Sequence, residues 1–385
     1  MANASYAACA PDDGLHADRQ QFLAIVTDAY FSTSYVQARQ RFIDAAQRLG
    51  AERYAYPVHG AAGGELTIDV AILGSTSAPA LVVSSGIHGV EGFFGSAVQL
   101  ALLQQLHTNP LRNRIRWVIV HALNPYGFAH LRRVNEHNVD LNRNFMPEGE
   151  PYAGSPARYG ELDAFLNPPS APPRFEAFRV KALAYIRRYG LQALKDTIAG
   201  GQHDYPRGLF YGGNAPCAST CIVQAHGDAW LADARHCLHL DLHTGLGKFA
   251  QCTLLLNEPK ASPQHAWYAD TFGTVNLESL QQAEGTAYQI TGLFSHWMQQ
   301  HFSARDYRCA GVEFGTYDAI RIVAALRAEN RAHHHCAPGD PAMVRSKKEL
   351  RECFCPRSTA WRDTTVGTAL NIIARGAGAL TGAAT

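Results

Sequence analysis

Near the start of the chain, apolar residues recur every three to four positions, which is the spacing of one face of a helix. Residues 17–49 show this spacing, with Phe22 and Ile25 in the first half and Phe42 in the second, and Gly50 follows as a stop signal. The pattern predicts one long or two short amphipathic helices.

Between residues 65 and 123 the periodicity is that of strands around one helix. Apolar and polar residues alternate over 65–74, and continuous apolar runs fill 81–85 and 116–123, as in strands buried on both faces. We expect the first two strands to be joined by a turn. Residues 92–106 have helical spacing, so the second and third strands form a crossover unit with parallel strands. Further strands are predicted over 237–243, 252–257 and 309–317.

Strands that alternate with helices predict an α/β protein. We expect one domain over residues 1–385, with a central mixed, mostly parallel sheet flanked by helices, because no repeat and no linker divides the chain. Proline and glycine are concentrated over 147–173, and helices are predicted over 175–198 and 221–235. We interpret residues 147–236 as a large loop-rich insertion within the domain.

Composition narrows the class of protein. Hydrophobic residues make up 46% of the 385 and charged residues 17%, which excludes general disorder. The chain has 34 Lys and Arg against 33 Asp and Glu, so no basic excess is available for a nucleic acid or a membrane surface, and we expect neither as a partner. No apolar run reaches the roughly 20 residues that span a bilayer.

Cysteine usage and the first residues suggest a compartment. The opening stretch has no basic segment followed by a continuous apolar run, so no secretory signal is predicted. Nine cysteines are scattered along the chain, which is large enough to fold without stabilising disulfide bonds. We interpret them as free thiols in a reducing environment. The expected location is the cytoplasm.

Eighteen histidines make metal chemistry the first question. His88 and Glu91 lie three residues apart in SSGIHGVEG, directly after a predicted buried strand, and His243 ends the strand of HLDLHTG. Two His and one Glu form the ligand set of catalytic zinc sites, which leave one position for water. A short His-x-x-Glu motif alone is a weak indication of a metal site. The alternative interpretation of His88 is an ordinary histidine in a loop. The placement of all three at strand ends, where open α/β sheets bind ligands, favours a metal site.

A carboxylate inside another apolar strand adds to this set. Glu313 lies in CAGVEFGTY, and burying a lone carboxylate is costly without a cationic or metal partner. Glu313 is therefore either a paired structural acid or a general base beside the metal.

The motifs HGVEG, NPYG, RVNEHNVDLNRNF, DLHTG and VEFGT occur in this order over most of the chain. Together they resemble the zinc carboxypeptidase superfamily, and within it a bacterial branch of uncharacterised zinc-exopeptidase-like proteins related to aspartoacylase and succinylglutamate desuccinylase. The stretch DLNRNF, with an arginine nine positions before its first Asn, is the most specific part.

The resemblance implies one zinc ion per chain, bound by His88, Glu91 and His243. It further implies Glu313 as general base and Arg133 as the group that stabilises the oxyanion. Asn142 and Arg143 correspond to the pair that holds a substrate carboxylate. Without the resemblance, Arg132 and Arg133 could be a solvated basic pair, and Asn142 and Arg143 a helix cap or turn.

The expected activity is zinc-dependent hydrolysis of a C–N amide bond, most simply by an exopeptidase of the carboxypeptidase type. The substrate would be a small peptide or an N-acyl amino acid that carries a carboxylate. Two alternatives stay open: an N-acyl amino acid deacylase of the aspartoacylase kind, and a non-catalytic protein that binds a carboxylate ligand. No Gly-x-Ser-x-Gly motif indicates a serine hydrolase.

The chain departs from the family's pattern in two places. Arg143 and His243 are 100 residues apart, and we expect the insertion between them to cap the pocket. The family's active-site tyrosine has two candidates, Tyr288 and Tyr317.

Two other clusters do not have the spacing of a zinc site. His333–Cys336 is interpreted as a solvated loop. Cys217 and Cys221 are interpreted as thiols without a metal.

Overall fold

The computed structural model describes residues 27–58, 65–280 and 291–382. In chain order its strands are β1 (Glu52–Pro57), β2 (Thr67–Leu73), β3 (Ala80–Ser85), β4 (Arg116–His121), β5 (His236–Thr244), β6 (Cys252–Leu256), β7 (Asn276–Ser279) and β8 (Asp306–Phe314). These eight strands form one sheet in the order β1-β2-β4-β3-β5-β8-β6-β7.

Among the described residues there are twelve α-helices, with the following bounds. They are α1 (Tyr35–Arg48), α2 (Gly92–Gln105), α3 (Pro125–Ala129), α4 (Tyr159–Leu166), α5 (Phe178–Tyr189), α6 (Leu191–Ala199), α7 (Ala218–Leu231), α8 (Pro263–Phe272), α9 (Phe294–His301), α10 (Ala319–His335), α11 (Pro341–Phe354) and α12 (Thr359–Thr381). No helix in the described ranges is both long and apolar enough to cross a bilayer.

The centre of the sheet is parallel. Strand β3 runs parallel to β4 on one side and to β5 on the other, and β8 runs parallel to β5. Antiparallel pairs join β2 to β4 and β6 to β8. This arrangement confirms the predicted α/β class with a central mixed, mostly parallel sheet.

Helices cover both faces of the sheet because successive strand residues point to opposite sides. Leu81 and Val83 of β3 pack in one core with residues of α1, α2, α8 and α12. Ala80 and Val82 pack in a second core with residues of α7 and α9. Helix α2 is buried along 12 of its 14 residues, which accounts for its nearly continuous apolar sequence.

The first two predicted strands, β2 and β3, are joined by a turn as expected, and β4 lies between them in the sheet. One local expectation differs from the structure. The helix predicted over 175–198 is divided into α5 and α6 at Gly190, whose φ of +83° ends a right-handed helix. Of the helices predicted over 17–49, α1 is present and residues 17–26 lie outside the described part.

The site lies where the parallel strands end. The carboxyl ends of β3, β4, β5 and β8 are adjacent, and the segments that follow them carry the predicted site residues. His243 on β5 and Glu313 on β8 are direct partners in the register. Residues 147–236 contribute α4 to α7, and their interpretation as an insertion within one domain stays a prediction.

Candidate metal centre

The turn after β3 presents His88 and Glu91 on one side. His88 precedes a short 3₁₀ helix, Gly89–Glu91, which ends in the second ligand candidate. A side chain on Gly89 would come within 2.1 Å of the Gly127 backbone, so only glycine permits this close packing. The backbone amide of Gly89 donates to the carbonyl of Arg133, which ties the turn to the loop after β4.

His88, Glu91 and His243 converge in the structure. The Nδ1 atom of His88 lies 2.8 Å from Oε1 of Glu91, and Nδ1 of His243 lies 3.2 Å from Oε2. All three side chains are buried, and one donor atom from each lies within 4.8 Å of the others. Within the described ranges this is the one group of His, Cys, Asp or Glu with such an arrangement.

His88 and His243 each contact a second carboxylate through the ring nitrogen that points away from Glu91. Nε2 of His243 lies 2.7 Å from Oδ2 of Asp241, and Nε2 of His88 lies 3.3 Å from Oδ1 of Asp140. A carboxylate on the far nitrogen fixes the ring orientation and tautomer of a metal-binding histidine. The two Nδ1 atoms are therefore the ones turned toward Glu91.

Sequence reasoning missed both aspartates. Asp241 and His243 are two residues apart in HLDLH, and the two-residue period of a strand places both on one face of β5. This spacing could have indicated that Asp241 lies beside His243. Asp140 caps the 3₁₀ helix Leu141–Arg143 by accepting from the amide of Asn142 at 3.1 Å, and its sequence context suggests only that cap.

The residues present fit a divalent cation. Burial would raise the pKa of Glu91, but His88 and His243 outweigh it and lower the pKa to about 2. Burial likewise opposes ionisation of Asp140, yet Arg133 and His88 hold the pKa well below its usual value. Zinc–ligand distances of about 2.0–2.2 Å place tetrahedral ligands about 3.4 Å apart, close to the separations found here.

Glu313 lies beside these ligands with its carboxylate held in place. Its Oε1 accepts a hydrogen bond of 2.8 Å from the backbone amide of Leu246. Burial, and then the negative charge of Glu91, raise the pKa of Glu313 to about 7. A carboxyl group in this condition can both take up and return a proton near neutral pH.

Arg133 is held from three sides. Its Nε donates to Oδ2 of Asp140 at 2.9 Å, and its Nη2 lies 2.6 Å from Nε2 of His88. The guanidinium lies over the ring of Phe210, 5.1 Å from the centroid. Phe210 belongs to the 147–236 segment, so this segment reaches the candidate site.

Asn142 and Arg143 contact other parts of the chain. Oδ1 of Asn142 accepts from the amide of Phe294 at 3.0 Å. Nε of Arg143 donates to the carbonyl of Ala199 at 3.1 Å, and Nη1 donates to the carbonyl of Asn142 at 2.6 Å. The guanidinium of Arg143 thus holds the end of α6.

The remaining candidates lie as follows. Tyr317 donates to Oε1 of Glu352 at 2.7 Å, and burial raises the pKa of its hydroxyl to about 12. Tyr288 lies outside the described residues. Cys217 and Cys221 are free thiols and join no metal group. The interpretation of His333–Cys336 as a solvated loop is wrong, because the three histidines form the last turn of α10 and the first two are half-buried.

The chain is similar to solved structures of two carboxypeptidases. A carboxypeptidase A from Helicoverpa armigera is 13% identical over 88% of this chain and 80% of its own, with a TM-score of 0.46. A metallo-carboxypeptidase from Pseudomonas aeruginosa, in complex with (2-guanidinoethylmercapto)succinic acid, is 14% identical over 87% of this chain and 68% of its own, with a TM-score of 0.40.

No curated protein sequence matches the chain. One family model, described as "Protein of unknown function (DUF2817)", matches residues 31–368. The match covers far more than half of the sequence and includes every residue of the candidate site. The chain therefore belongs to the DUF2817 family.

Proposed function

We propose that the protein is a zinc-dependent hydrolase of a C–N amide bond, of the metallocarboxypeptidase type, with one zinc ion per chain at His88, Glu91 and His243. The observation that carries the proposal is the meeting of these three ligand candidates with a buried Glu313 and Arg133 at one edge of the sheet. A zinc ion there would supply a Lewis acid that polarises the scissile carbonyl and lowers the pKa of water.

Glu313 is the proposed general base. Its carboxyl group is buried, its pKa is raised to about 7, and the Leu246 amide fixes one oxygen. The other oxygen is then the one that takes a proton from the attacking water and returns it to the leaving amine. A structural acid paired with an arginine would instead have a lowered pKa.

Arg133 is the proposed oxyanion group. Nε2 of His88 cannot both accept from Arg133 and donate to Asp140. When Nδ1 of His88 binds a metal, its proton resides on Nε2, so Nη2 of Arg133 has to turn away from the ring. That movement makes a permanently charged donor available to a substrate oxygen, a role worth roughly 3 kcal/mol by comparison with other oxyanion donors.

Asn142 and Arg143 are the proposed anchors of the substrate carboxylate. Arg143 has a planar fork suited to a carboxylate, and it already holds a backbone carbonyl oxygen at Ala199. We propose that a substrate carboxylate takes the place of that carbonyl. The end of α6 would then move when substrate binds.

The proposal is tested by metal analysis and by a substrate panel. Purified protein should contain one zinc per chain and cleave either short peptides or N-acyl amino acids. The Glu313→Gln variant should keep the zinc but lose about 100-fold or more of the activity, since general base catalysis contributes this much.

The outcomes separate the alternatives. Cleavage of N-acyl amino acids alone would establish the deacylase. Zinc and carboxylate binding without turnover of any substrate would favour a binding protein. A chain that binds no metal would contradict the proposed function.

A further inference from the structure

A chain of buried polar side chains continues behind His243 into the core of the sheet. Beyond Asp241, the hydroxyl of Ser84 lies 2.5 Å from Oδ1 of that carboxylate and 2.7 Å from Nε2 of His239. Nδ1 of His239 lies 2.8 Å from the hydroxyl of Tyr307. The contacts form one unbroken series from the candidate ligand to Tyr307.

The strand register places these groups together. His239, Asp241 and His243 alternate along β5 and share one face. Ser84 is the direct partner of Asp241 on β3. Each member is less than a tenth exposed, and polar groups at this depth are costly unless every hydrogen bond is made.

The direction of each hydrogen bond follows from the carboxylate at the centre. A carboxylate only accepts, so the Ser84 hydroxyl donates to Oδ1 of Asp241 and Nε2–H of His243 donates to Oδ2. With its one proton so used, the Ser84 oxygen accepts from Nε2–H of His239.

The series of hydrogen bonds ends at the hydroxyl of Tyr307. Nδ1 of His239 is then an acceptor for the Tyr307 hydroxyl. Burial lowers the pKa of His239 to about 4, in agreement with a neutral ring that has one proton. Every proton in the series therefore points toward Asp241.

We propose that Ser84, His239 and Tyr307 are positioning residues that hold Asp241, so that Asp241 keeps the Nε2 proton of His243 and leaves Nδ1 as the nitrogen that binds the metal. The inference rests on the proposed metal site. It extends that site to three residues of the sheet interior that touch neither the metal nor the substrate. Their role is to set the affinity for zinc.

The direction of the hydrogen bonds in the series can be tested in the metal-free protein, without any measurement of zinc binding. Nitrogen NMR of His239 in the metal-free protein should show the proton on Nε2. A proton on Nδ1 would overturn the proposal, because Tyr307 would then accept and the Ser84 proton would be drawn to His239. This test stands whether or not the protein hydrolyses anything.

The positioning role is tested by the zinc affinity of variants, measured by competition with a chromogenic chelator. Ser84→Ala should weaken zinc binding by up to about 10-fold, the lower end of the effect of losing a direct partner of a metal ligand, because Ser84 contacts Asp241 and not His243 itself. Ser85→Ala is the matched control: this neighbour on β3 is equally buried, and its hydroxyl bonds to Gln99 on the opposite face. Ser84→Thr keeps a hydroxyl and should restore affinity to within about threefold of the wild type.

Two further outcomes complete the test. Equal zinc affinity in Ser84→Ala and Ser85→Ala would overturn the proposal, and so would failure of Ser84→Thr to restore it. Should Ser84→Ala not fold, Tyr307→Phe takes its place, since it removes one hydroxyl from the end of the series. That variant should lower zinc affinity measurably, and an unchanged affinity would again contradict the inference.

Discussion

Asp140 connects several parts of the candidate site. Its carboxylate contacts the side chains of Arg133 and His88 and the amide of Asn142, while its own amide donates to the carbonyl of Tyr211 at 2.7 Å. It is fully buried and ionised. The positions of His88, a candidate ligand, and of Arg133, the proposed oxyanion group, therefore depend on the same carboxylate.

Replacing this carboxylate should weaken metal binding. Asp140→Asn removes the acceptor that fixes the His88 tautomer, and zinc affinity measured by chelator competition should fall 10- to 100-fold. Asp69→Asn is the matched control, because Asp69 is also buried and paired with an arginine, Arg39, but lies on β2, which β4 and β3 separate from β5. An equal loss of zinc affinity in both variants would show that the effect is one of general destabilisation.

A second prediction concerns acid stability and lies away from the metal. His121 is fully buried, stacks on Phe42 and shares a hydrogen bond with Ser96, and burial lowers its pKa to about 3. Above pH 6.5 the ring is neutral in both folded and unfolded chains, so it has no effect on pH dependence. As the pH falls from 6.5 toward 3, only the unfolded chain takes up the proton, so stability is lost at about 1.4 kcal/mol per pH unit.

The variant His121→Phe keeps the stacking on Phe42 and cannot be protonated. Urea unfolding of the wild type and the variant at pH 7, 6, 5 and 4 measures the difference between their free energies of unfolding. That difference should shift in favour of the variant by about 1.4 kcal/mol for each unit below pH 6. A difference that does not change with pH would contradict a neutral buried His121.

For single residues, the sequence predicted where the candidate site residues lie in the fold better than it predicted which groups they contact. His88, Glu91, His243 and Glu313 could be placed because each directly follows or ends an apolar strand. Arg143 shows the limit: its motif predicts a group that binds a carboxylate, but the carbonyl that it holds at Ala199 comes from a segment 56 residues away. Contacts of that range depend on packing that local patterns do not encode.

Among the elements, the strip at residues 208–213 joins the 147–236 segment to the site. The carbonyl of Tyr211 accepts from Asp140, that of Gly212 accepts from Nδ2 of Asn144 at 2.8 Å, and the Phe210 ring lies against Arg133. Phe210 has a φ of +57°, a conformation that is rare for a bulky residue and that concentrates at functional sites. The capping role of the segment stays a prediction, and Phe210 is a residue through which the segment contacts the candidate site.

Phe210→Leu tests this contact. Leucine keeps an apolar side chain but has no ring face for the guanidinium, so Arg133 should be held less well and kcat/KM should fall by about 3- to 10-fold, the equivalent of a partly buried cation–π contact. Phe165→Leu is the control, because Phe165 also lies in the 147–236 segment and near an arginine, Arg327, at 5.8 Å. A decrease of the same size in both variants would point to a loss of stability in place of a loss of positioning.

For the whole molecule, the expected effect of zinc is greater thermal stability. The ligands come from β5 and from the turn after β3, so an ion that binds only the folded chain adds about 2.7 kcal/mol at a free concentration 100 times its Kd. For a chain of this length that amounts to a rise in Tm of about 3 °C. Differential scanning fluorimetry with zinc and with a chelator should show this rise for the wild type.

The same measurement on two variants identifies the site. His243→Ala should lose the zinc-dependent rise, because one of three ligands is removed. His137→Ala should keep it, since His137 is an exposed histidine outside the cluster. A rise that survives in His243→Ala would place the ion elsewhere.

The topology was only partly predictable. The crossover from β3 through α2 to β4 follows from the handedness and length of such units. The insertion of β4 between β2 and β3 could not be deduced, because a turn between two strands does not say whether they pair. The division of α5 from α6 depends on Gly190, which local spacing treats as a weak signal.

The order of the strands also has a consequence for biosynthesis. His243 follows Glu91 by 152 residues, which at 5–20 residues per second means that the third candidate ligand leaves the ribosome roughly 8–30 s after the second. Until β5 has paired with β3, the nascent chain offers at most two of the three ligands. Under the proposed function, zinc would therefore be bound by all three residues only after β5 has paired with β3.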